Sequence, residues 1–497
     1  MTQSDIEKKI FIDHYQYYQE TGLETIKQQA GQVEQVSSDY VGRVIYELLQ
    51  NAFDKADKNI LVKVHGSSLF IANDGVKFKY TADYNYKSGG TERGDFQSLC
   101  SISTSTKKAG SSIGNKGVGF KSAFSIAKDG YVNVYTQGQI LTDETTIDQT
   151  ISFRIYDVFK NSDNIPTEFD RNLQNILRKQ IAKVQAEQKN RGVPGYYYPL
   201  HIEKESVFIE DLFEQGFVTI IEVPFSSILI IETLFQEINK VHFNFVSLKY
   251  QKEFEIRFEC GNQTFTKTVV DQPKNQYYAT LQNDDIRTLA IEAGISLENP
   301  KVAFSFRTDD EGYLYNYLPT AIKSPFPYVD FNADFHTTVD RKSINFDLKI
   351  GEYNKVLLRG CFELYLSVLK SYATSADRSQ LKLHYITQKD YKFTDFNWNF
   401  LKVNNGLNSS HYIMDILGIT GWEFQNTSIL LGSIAKTYFE EERAATEYDS
   451  FYENVQLFIH GNATTSPQYN EPIRQFKSTL ANILIAFAFP AISTQFR

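Results

Sequence analysis

The chain has 497 residues, a hydrophobic content of 42% and a net charge of −9 from 51 basic and 60 acidic residues. This length is enough for roughly two to four domains with real cores, and the composition excludes bulk disorder. The acidic balance argues against a broad surface that coats nucleic acid, although it leaves room for a local basic patch. Three widely separated cysteines without metal-ligand spacing predict a reduced, cytoplasmic protein.

The polar start of the chain predicts no signal peptide. The two most apolar stretches are residues 217–235, which carry charges, and residues 480–492, which are too short to cross a bilayer. The sequence therefore predicts no contact with a membrane.

The first 36 residues predict a weakly amphipathic helix that breaks at Gly31. Ser37, Ser38 and Asp39 then offer an N-cap for a second helix, whose apolar residues recur at helical spacing. We expect this helix to end near residues 57–59. Two short strands follow, ILVKVHG and SLFIAND, joined by a turn.

Residues 77–112 are rich in Gly, Ser, Thr and Lys and predict a mobile loop with one short helix near residues 96–102. A glycine loop and a helix come next, followed by strands at YVNVYTQG and ISFRIYDVF. Residues 160–200 predict an insertion or an exposed connector with helical patches.

The later part of the chain predicts a buried strand at residues 216–225 and a helix at residues 229–240. Three alternating segments, FEIRFEC, QTFTKTVV and KVAFSFR, predict further strands. Residues 351–497 are mainly helical in pattern.

The predicted second helix contains the segment ELLQNAFD, residues 47–54. Glu47 and Asn51 are four residues apart and project from one helix face, with Asp54 on roughly the same side. The amide oxygen of Asn51 would be a hard ligand for Mg²⁺, and the acid of Glu47 could polarise a water for attack on a terminal phosphate. The same pattern also fits a solvated polar stripe on an ordinary amphipathic helix.

The segment ANDGVKF, which ends at Phe78, predicts a strand that runs into a turn. Gly75 permits a close approach of the backbone to a flat ligand. Asn73 or Asp74 can accept a hydrogen bond from an exocyclic amine such as that of adenine. A plain Asn-Asp-Gly turn would give the same pattern.

A glycine loop leads into a helix at IGNKGVGFKSAF, residues 113–124. Glycines let backbone N–H groups face an anion, and a helix start adds partial positive charge. The Walker pattern is absent from the sequence, so a different fold would hold the phosphates, and a glycine-rich turn without ligand is the alternative. The expected phosphate-side residues are Lys107, Lys108, Gly114, Asn115, Lys116, Gly117, Val118, Gly119, Phe120 and Lys121.

In this order, Glu-Leu-Leu-Gln-Asn-Ala, Asn-Asp-Gly and Gly-Asn-Lys-Gly-Val-Gly-Phe resemble the GHKL ATPase superfamily of gyrase, heat-shock chaperone, histidine kinase and MutL. The segment from Phe96 to Ala127 is similar to the sacsin and No Vein branch of that superfamily. VTIIEVPF and the segment from Tyr315 to Asn345 extend the resemblance to roughly residues 37–345.

The resemblance implies that Glu47 is the general base, that Asn51 is the Mg²⁺ ligand and that Asp54 lies beside the pocket. It implies that Thr219 approaches adenine, and it aligns Asn73 with the adenine-reading aspartate of most members. Because Glu47 is present and none of the eight histidines lies in a phosphoacceptor context, hydrolysis is favoured over phosphotransfer.

The resemblance also makes Arg341 a candidate for reaching the γ-phosphate from a second domain. A structural salt bridge between Arg341 and Asp340 or Asp334 is the alternative interpretation.

The implied fold class is α+β, in three parts. A Bergerat-type α/β sandwich ATPase domain would occupy residues 1–228, with a lid at about residues 77–113. An α/β transducer domain would follow at residues 229–350, and residues 351–497 would form a mainly helical domain.

The implied function is a slow, Mg²⁺-dependent ATPase that acts as a conformational switch, with ATP and Mg²⁺ as ligands. It would form a homodimer through the ATPase domain or lid and bind a protein partner through residues 351–497. One hypothesis is the ATPase component of a bacterial defence or DNA-processing system that meets DNA only indirectly. The alternatives are a chaperone-like ATPase and a module that binds ATP without turnover.

Overall fold

A computed structural model of the chain divides it into two compact units, Met1–Asp271 and Gln272–Arg497. The structure describes residues 3–39, 41–84, 93–101, 119–203, 206–271, 273, 276–281, 284–292, 295, 299–307, 312–324, 329–338, 341–344, 346, 348–374, 402–404 and 410–412.

The first unit combines helices with a large sheet. Its helices, within the described ranges, are α1 Gln3–Gln19, α2 Leu23–Asp39, α3 Val44–Lys55, α4 Asp95–Leu99, α5 Arg171–Glu187, α6 Val207–Glu214, α7 Ile228–Asn239 and α8 Val246–Tyr250. Short 3₁₀ helices lie at Val41–Arg43, Gly119–Ser125, Ser162–Asn164 and Gly195–Tyr197.

The strands of this unit are β1 Asn59–His65, β2 Ser68–Asn73, β3 Phe78–Thr81, β4 Tyr131–Leu141, β5 Thr146–Tyr156, β6 Val158–Phe159, β7 Val193–Pro194, β8 Leu200–His201, β9 Thr219–Pro224, β10 Phe254–Cys260 and β11 Gln263–Val269. Nine of these strands, within the described residues, form a mixed sheet. Eight of them follow the order β11-β10-β1-β2-β9-β4-β5-β8, and β3 lies beside β4. The predicted boundary at residue 228 falls inside this unit, because β10 pairs in parallel with β1.

The centre of the sheet is buried on both faces. On one face, α6 packs over an apolar cluster that includes Leu61, Phe70 and Ala72. Leu69 and Ile71, which point to the opposite face of β2, are also buried. Burial on both faces makes β2 a rigid platform, which matters because the turn at residues 74–77 follows it directly.

The N-terminal helices differ from the prediction. The chain breaks near Gly22 rather than at Gly31, and α2 runs through Gly31 to Asp39. A side chain at Gly31 would clash with the guanidinium of Arg191 at 2.7 Å, so this glycine serves close packing rather than a break. Because residues 37–39 are helical, they do not cap α3; its N-cap is Arg43, without a side-chain hydrogen bond.

The segment at residues 160–200 is a packed insertion, and the alternative of an exposed connector is wrong for its aromatic end. Tyr196, Tyr197 and Tyr198 are each almost fully buried. Glu34 of α2 forms ion pairs with Lys160 at 2.8 Å and with Arg191 at 2.7 Å. These ion pairs connect the insertion to α2.

Part of the expected loop at residues 77–112 is regular structure. The short helix near residue 96 is confirmed as α4, but β3 was missed because a short parallel strand beside β4 leaves no alternating pattern. Asp95 holds the two together: its carboxylate accepts from the backbone N–H of Lys79 at 3.0 Å and pairs with Lys55 at 2.8 Å.

The second unit has its own sheet, so the predicted α+β class is confirmed. Its elements, within the described ranges, are β12 Gln276–Thr280, α9 Asp284–Glu292, β13 Lys301–Phe306, β14 Tyr313–Asn316, β15 Leu318–Lys323, β16 Val329–Ala333, α10 Leu348–Thr374, β17 Lys402–Asn404 and β18 Ser410–Tyr412. The sheet order is β12-β13-β16-β14-β15. Most of the predicted helical region after residue 374 lies outside the described residues.

A helix that crosses a bilayer needs about 20 mostly apolar residues. In the described parts of the chain, no helix is both long and apolar enough to span a bilayer.

Cys100, Cys260 and Cys361 are buried free thiols.

His14 predicts a measurable pH dependence of stability. It is fully buried in α1, packed on Tyr18 and Phe96, and desolvation, with Arg93 and Lys121 nearby, lowers its pKa to about 3. The unfolded chain protonates this histidine below about pH 6.5 while the folded chain does not, so stability is lost as the pH falls through that value.

We expect wild type to lose about 2 kcal/mol more than His14→Phe between about pH 7 and about pH 5. Urea unfolding followed by circular dichroism would measure this difference, since all other titrating groups are shared. Equal losses in the two proteins would contradict the prediction.

Candidate functional site

The polar stripe on α3 is buried rather than solvated. Glu47 and Gln50 have exposed fractions of 2% and 1%, and Asn51 and Asp54 are half-buried on the same side of the helix. Glutamate and glutamine are rarely buried to this extent in ordinary surface helices. The alternative of a solvated amphipathic face is therefore wrong for this helix.

Gly119 lies directly against the acid of this stripe. A side chain at Gly119 would overlap Oε2 of Glu47, and Cδ and Cβ of Glu47 lie 3.5 and 3.7 Å from the added carbon. A Cβ at this position would require the carboxylate of Glu47 to move. The described end of the glycine loop and the carboxylate of α3 thus meet at one place.

A second part of the site lies on one face of the sheet. Asn73 at the end of β2 is directly opposite Thr219 of β9, and Thr219 is directly opposite Thr136 of β4. Residues opposite one another in antiparallel strands share a face and are close neighbours. This row brings together Asn73 and Thr219, which are far apart in the sequence.

The side chain of Asn73 is oriented by its own turn. Its amide nitrogen donates to the carbonyl oxygen of Asp74 at 2.8 Å. The amide oxygen is the part of the side chain that can accept a hydrogen bond from a ligand. Thr136 was missed by the sequence analysis; its hydroxyl is held by Tyr80 at 2.9 Å and by the carbonyl of Ile151 at 3.0 Å.

Asp74 has a different role from the one considered for it. Its carboxylate accepts from the backbone N–H groups of Asp57, Lys58 and Asn59, each at 2.9 Å, and from the side chain of Asn59 at 2.8 Å. These bonds fasten the turn between α3 and β1. Of the two candidates for reading an exocyclic amine, the geometry leaves Asn73.

Gly75 approaches protein backbone. It has φ +96°, and a side chain there would meet the carbonyl oxygen of Lys55 at 2.5 Å and the carbonyl carbon of Ala56 at 2.8 Å. The glycine thus lets the turn after β2 pack on the end of α3. Phe78 opens β3, is half-buried and packs against the rings of Tyr80 and Phe153.

Two other predicted residues are also engaged by protein groups. The hydroxyl of Tyr250 donates to Asp54, which connects α8 to α3. Phe120 is buried against Phe124 in an edge-to-face contact.

Lys121, expected on the phosphate side, lies in the core. Its ammonium donates to the carbonyl of Leu99 and lies 4.8 Å from the ring centre of Tyr196. Desolvation lowers the pKa of Lys121 to about 8. The structure therefore brings together Glu47 and Gly119, with Asn51 one turn further along the same side of α3, but turns the lysine inward.

The other predicted residues belong to the second unit or to the part of the chain that the structure does not describe. Arg341 belongs to the second unit, where it is buried in a turn with φ +55° and donates its backbone N–H to Thr338 at 3.0 Å. The other predicted loop residues lie outside the described residues: Lys107, Lys108, Gly114, Asn115, Lys116, Gly117 and Val118.

Gln50 was missed although its signal was in the sequence. It lies three residues after Glu47, on the same helix face. The i, i+4 pair of Glu47 and Asn51 matches the expected chemistry without it. Its exposed fraction of 1% makes it part of the buried stripe.

Magnesium is bound by oxygen ligands, and zinc by clusters of His, Cys and carboxylate side chains. In the described parts of the chain, no three His, Cys, Asp or Glu side chains are grouped as ligands. Asn51 supplies an amide oxygen beside Glu47, and Mg²⁺ typically needs few protein ligands when a phosphate substrate and water supply the rest. The donor set thus fits a magnesium ion that arrives with a phosphate.

Comparison with known proteins adds the following. No family model and no curated protein matches the chain. Two solved structures that it resembles are of the ATPase region of Saccharomyces cerevisiae topoisomerase II, one of them bound to ICRF-187 (dexrazoxane). Each is 9% identical, aligned over 61% of this chain and 76% or 77% of its own, with TM-scores of 0.30 and 0.31.

Proposed function

We propose that the first unit binds ATP and hydrolyses it slowly, as in the GHKL superfamily that its motifs resemble. The observation that carries this proposal is the contact between Gly119 and the buried carboxylate of Glu47. Backbone N–H groups of a glycine loop can bind a terminal phosphate. A carboxylate beside such a loop can then hold the water that attacks this phosphate.

The adenine would lie at the row of Asn73 and Thr219. The amide oxygen of Asn73 would accept from the exocyclic amine, and Thr219 would provide a hydroxyl beside it. A hydrogen bond of this kind selects adenine over guanine, which carries a carbonyl oxygen at the corresponding position.

The phosphates would lie towards Gly119, whose backbone can approach them because no side chain intervenes. Glu47 would take the proton of the attacking water as general base. Asn51 would hold Mg²⁺, which when bound offsets the negative charge of the phosphates. Gln50 lies on the same buried side of the helix, next to Glu47.

The pair Asn73 and Asp74 separates ligand binding from stability, because the two residues are neighbours with different partners. Asn73→Ala is expected to weaken ATP binding by about tenfold, the loss of one specific hydrogen bond, with little change in stability. Asp74→Ala removes the acceptor for the turn and is expected to lower the free energy of unfolding by about 1–3 kcal/mol with nearly normal ATP affinity.

The test is a fluorescence titration with a labelled ATP analogue, in competition with ATP and GTP, together with thermal unfolding of each variant. Equal weakening of ATP binding by both substitutions, or no preference of wild type for ATP over GTP, would count against the proposed adenine site. Phosphate release in the presence of Mg²⁺, compared with a chelated sample, tests the hydrolytic step.

A further inference from the structure

Lys121 is a lysine where packing alone would favour an apolar side chain. It has an exposed fraction of 1% and is among the largest fully buried side chains of the protein. Its ammonium donates to the carbonyl of Leu99 and faces the ring of Tyr196. Burying an ammonium costs several kcal/mol that a methionine of similar volume would not cost. The position therefore points to a specific polar role.

The three groups at this point belong to three different segments. Leu99 ends α4, Tyr196 belongs to the insertion at residues 160–200, and Lys121 lies two residues after Gly119 in the 3₁₀ helix. A short 3₁₀ helix has poorer internal hydrogen bonding than an α-helix and is easily displaced. Contacts from the ammonium of Lys121 to Leu99 and Tyr196, called the Lys121 tie below, would hold this 3₁₀ helix in place.

Aromatic contacts connect Tyr196 to the N-terminal helix α1. Tyr196 packs edge-to-face on Tyr197, and Tyr197 is stacked on Tyr18 of α1 at 3.7 Å between ring centres. The hydroxyl of Tyr18 is within 3.2 Å of Ser101 Oγ. The support under Lys121 is thus rigid, and it reaches from α4 to the N-terminal helix.

We propose that Lys121 is a positioning residue for the proposed ATPase site: its buried ammonium fixes the 3₁₀ helix so that Gly119 stays against Glu47. The inference rests on the proposed function. It assigns to Lys121 an effect on the alignment of the reacting groups and not on contact with the nucleotide, because the ammonium is engaged by Leu99 and Tyr196.

The test compares Lys121→Met, which removes the ammonium at similar volume, with Lys121→Arg, which keeps a charged donor. A displacement of about 1 Å at a reacting group can cost about 100-fold in rate. We expect Lys121→Met to lower kcat by at least about tenfold while the Kd for a non-hydrolysable ATP analogue changes by less than about threefold. Lys121→Arg is expected to recover most of the lost kcat.

Lys27→Met is the matched control. Lys27 is also a buried lysine, but it pairs with Glu24 at 2.6 Å and with Glu187 of α5. Its loss is expected to reduce stability without a change in kcat. A purely stabilising role of Lys121 would make Lys121→Met behave like this control.

Hydrogen exchange without nucleotide tests the tie itself. The amide of Cys100 donates to the carbonyl of Phe96 at 3.0 Å at the end of α4. Its exchange should be faster in Lys121→Met than in wild type and unchanged in Lys27→Met.

The outcomes are distinguishable. An unchanged kcat, or a Kd that rises enough to explain the whole loss of kcat/KM, overturns the positioning role. Unchanged exchange at Cys100 overturns the tie. A wild type that takes up no ATP overturns the proposed function, and this is seen before any variant is measured.

Discussion

Glu47→Gln is expected to lower kcat for ATP hydrolysis by about 10²–10⁴-fold and to leave ATP affinity within about threefold. Glutamine keeps the shape of the side chain beside Gly119, so the phosphate site should remain intact. It lacks the basic oxygen that takes the proton from water. The measurement is steady-state phosphate release, with the Kd of a non-hydrolysable analogue from a separate titration.

The control for this substitution is Glu222→Gln. Glu222 is on β9 of the same sheet, but its carboxylate accepts from Ser68, Asn133 and Tyr135. Its neighbours Ile220 and Tyr135 belong to the cluster on the α6 face. The control should keep a normal kcat. A Glu47→Gln protein that hydrolyses ATP as fast as the control would remove Glu47 from the chemistry.

Asp330→Asn is expected to destabilise the second unit by about 3–5 kcal/mol. Asp330 is fully buried and pairs with the equally buried Arg307 at 3.0 Å, and it also accepts from the backbone N–H of Tyr313 at 2.8 Å. Asparagine leaves the guanidinium without its counter-charge in a low-dielectric interior. The midpoint of urea unfolding of the second unit measures the loss.

The double variant Arg307→Met with Asp330→Leu tests the physical reason. Replacing both members of a buried ion pair with apolar groups is often neutral or stabilising, because no charge is left to desolvate. We expect this variant to be more stable than Asp330→Asn. If it were the less stable of the two, the loss would not come from an uncompensated charge.

The sequence predicts which residues lie close together when they belong to one helix or one loop. The i, i+4 spacing of Glu47 and Asn51 places them on one helix face wherever the helix lies, and the glycine loop follows the same local logic. The polar stripe on α3 is therefore predictable from the sequence alone. Its burial depends on what packs over α3, which local spacing does not encode.

Contacts between distant segments were not predictable in the same way. The pairing of Asn73 with Thr219 depends on strand register, and Thr136 joins them only because β4 lies beside β9. Resemblance to a family suggested Thr219, but nothing in the linear order pointed to Thr136.

Three further residues show how packing overrides a local signal. Gly31 is a helix-breaking residue by propensity, yet α2 continues through it, and the guanidinium of Arg191 occupies the space beside it. Asp74 resembles a ligand-reading acid in a turn but caps the backbone of residues 57–59. Lys121 follows a glycine loop, where an exposed cation is expected, and lies in the core instead.

The most direct test of the proposed nucleotide site is calorimetric titration with ATP in the presence of Mg²⁺. It is carried out on the full-length wild type and on the Gly119→Val variant. Valine would displace the carboxylate of Glu47 from its place beside residue 119 and fill the space there without changing any charge. We expect wild type to bind ATP with a measurable heat and the variant to lose that binding. Wild type that binds no ATP, or a folded Gly119→Val protein that binds it normally, would contradict a nucleotide site between α3 and Gly119.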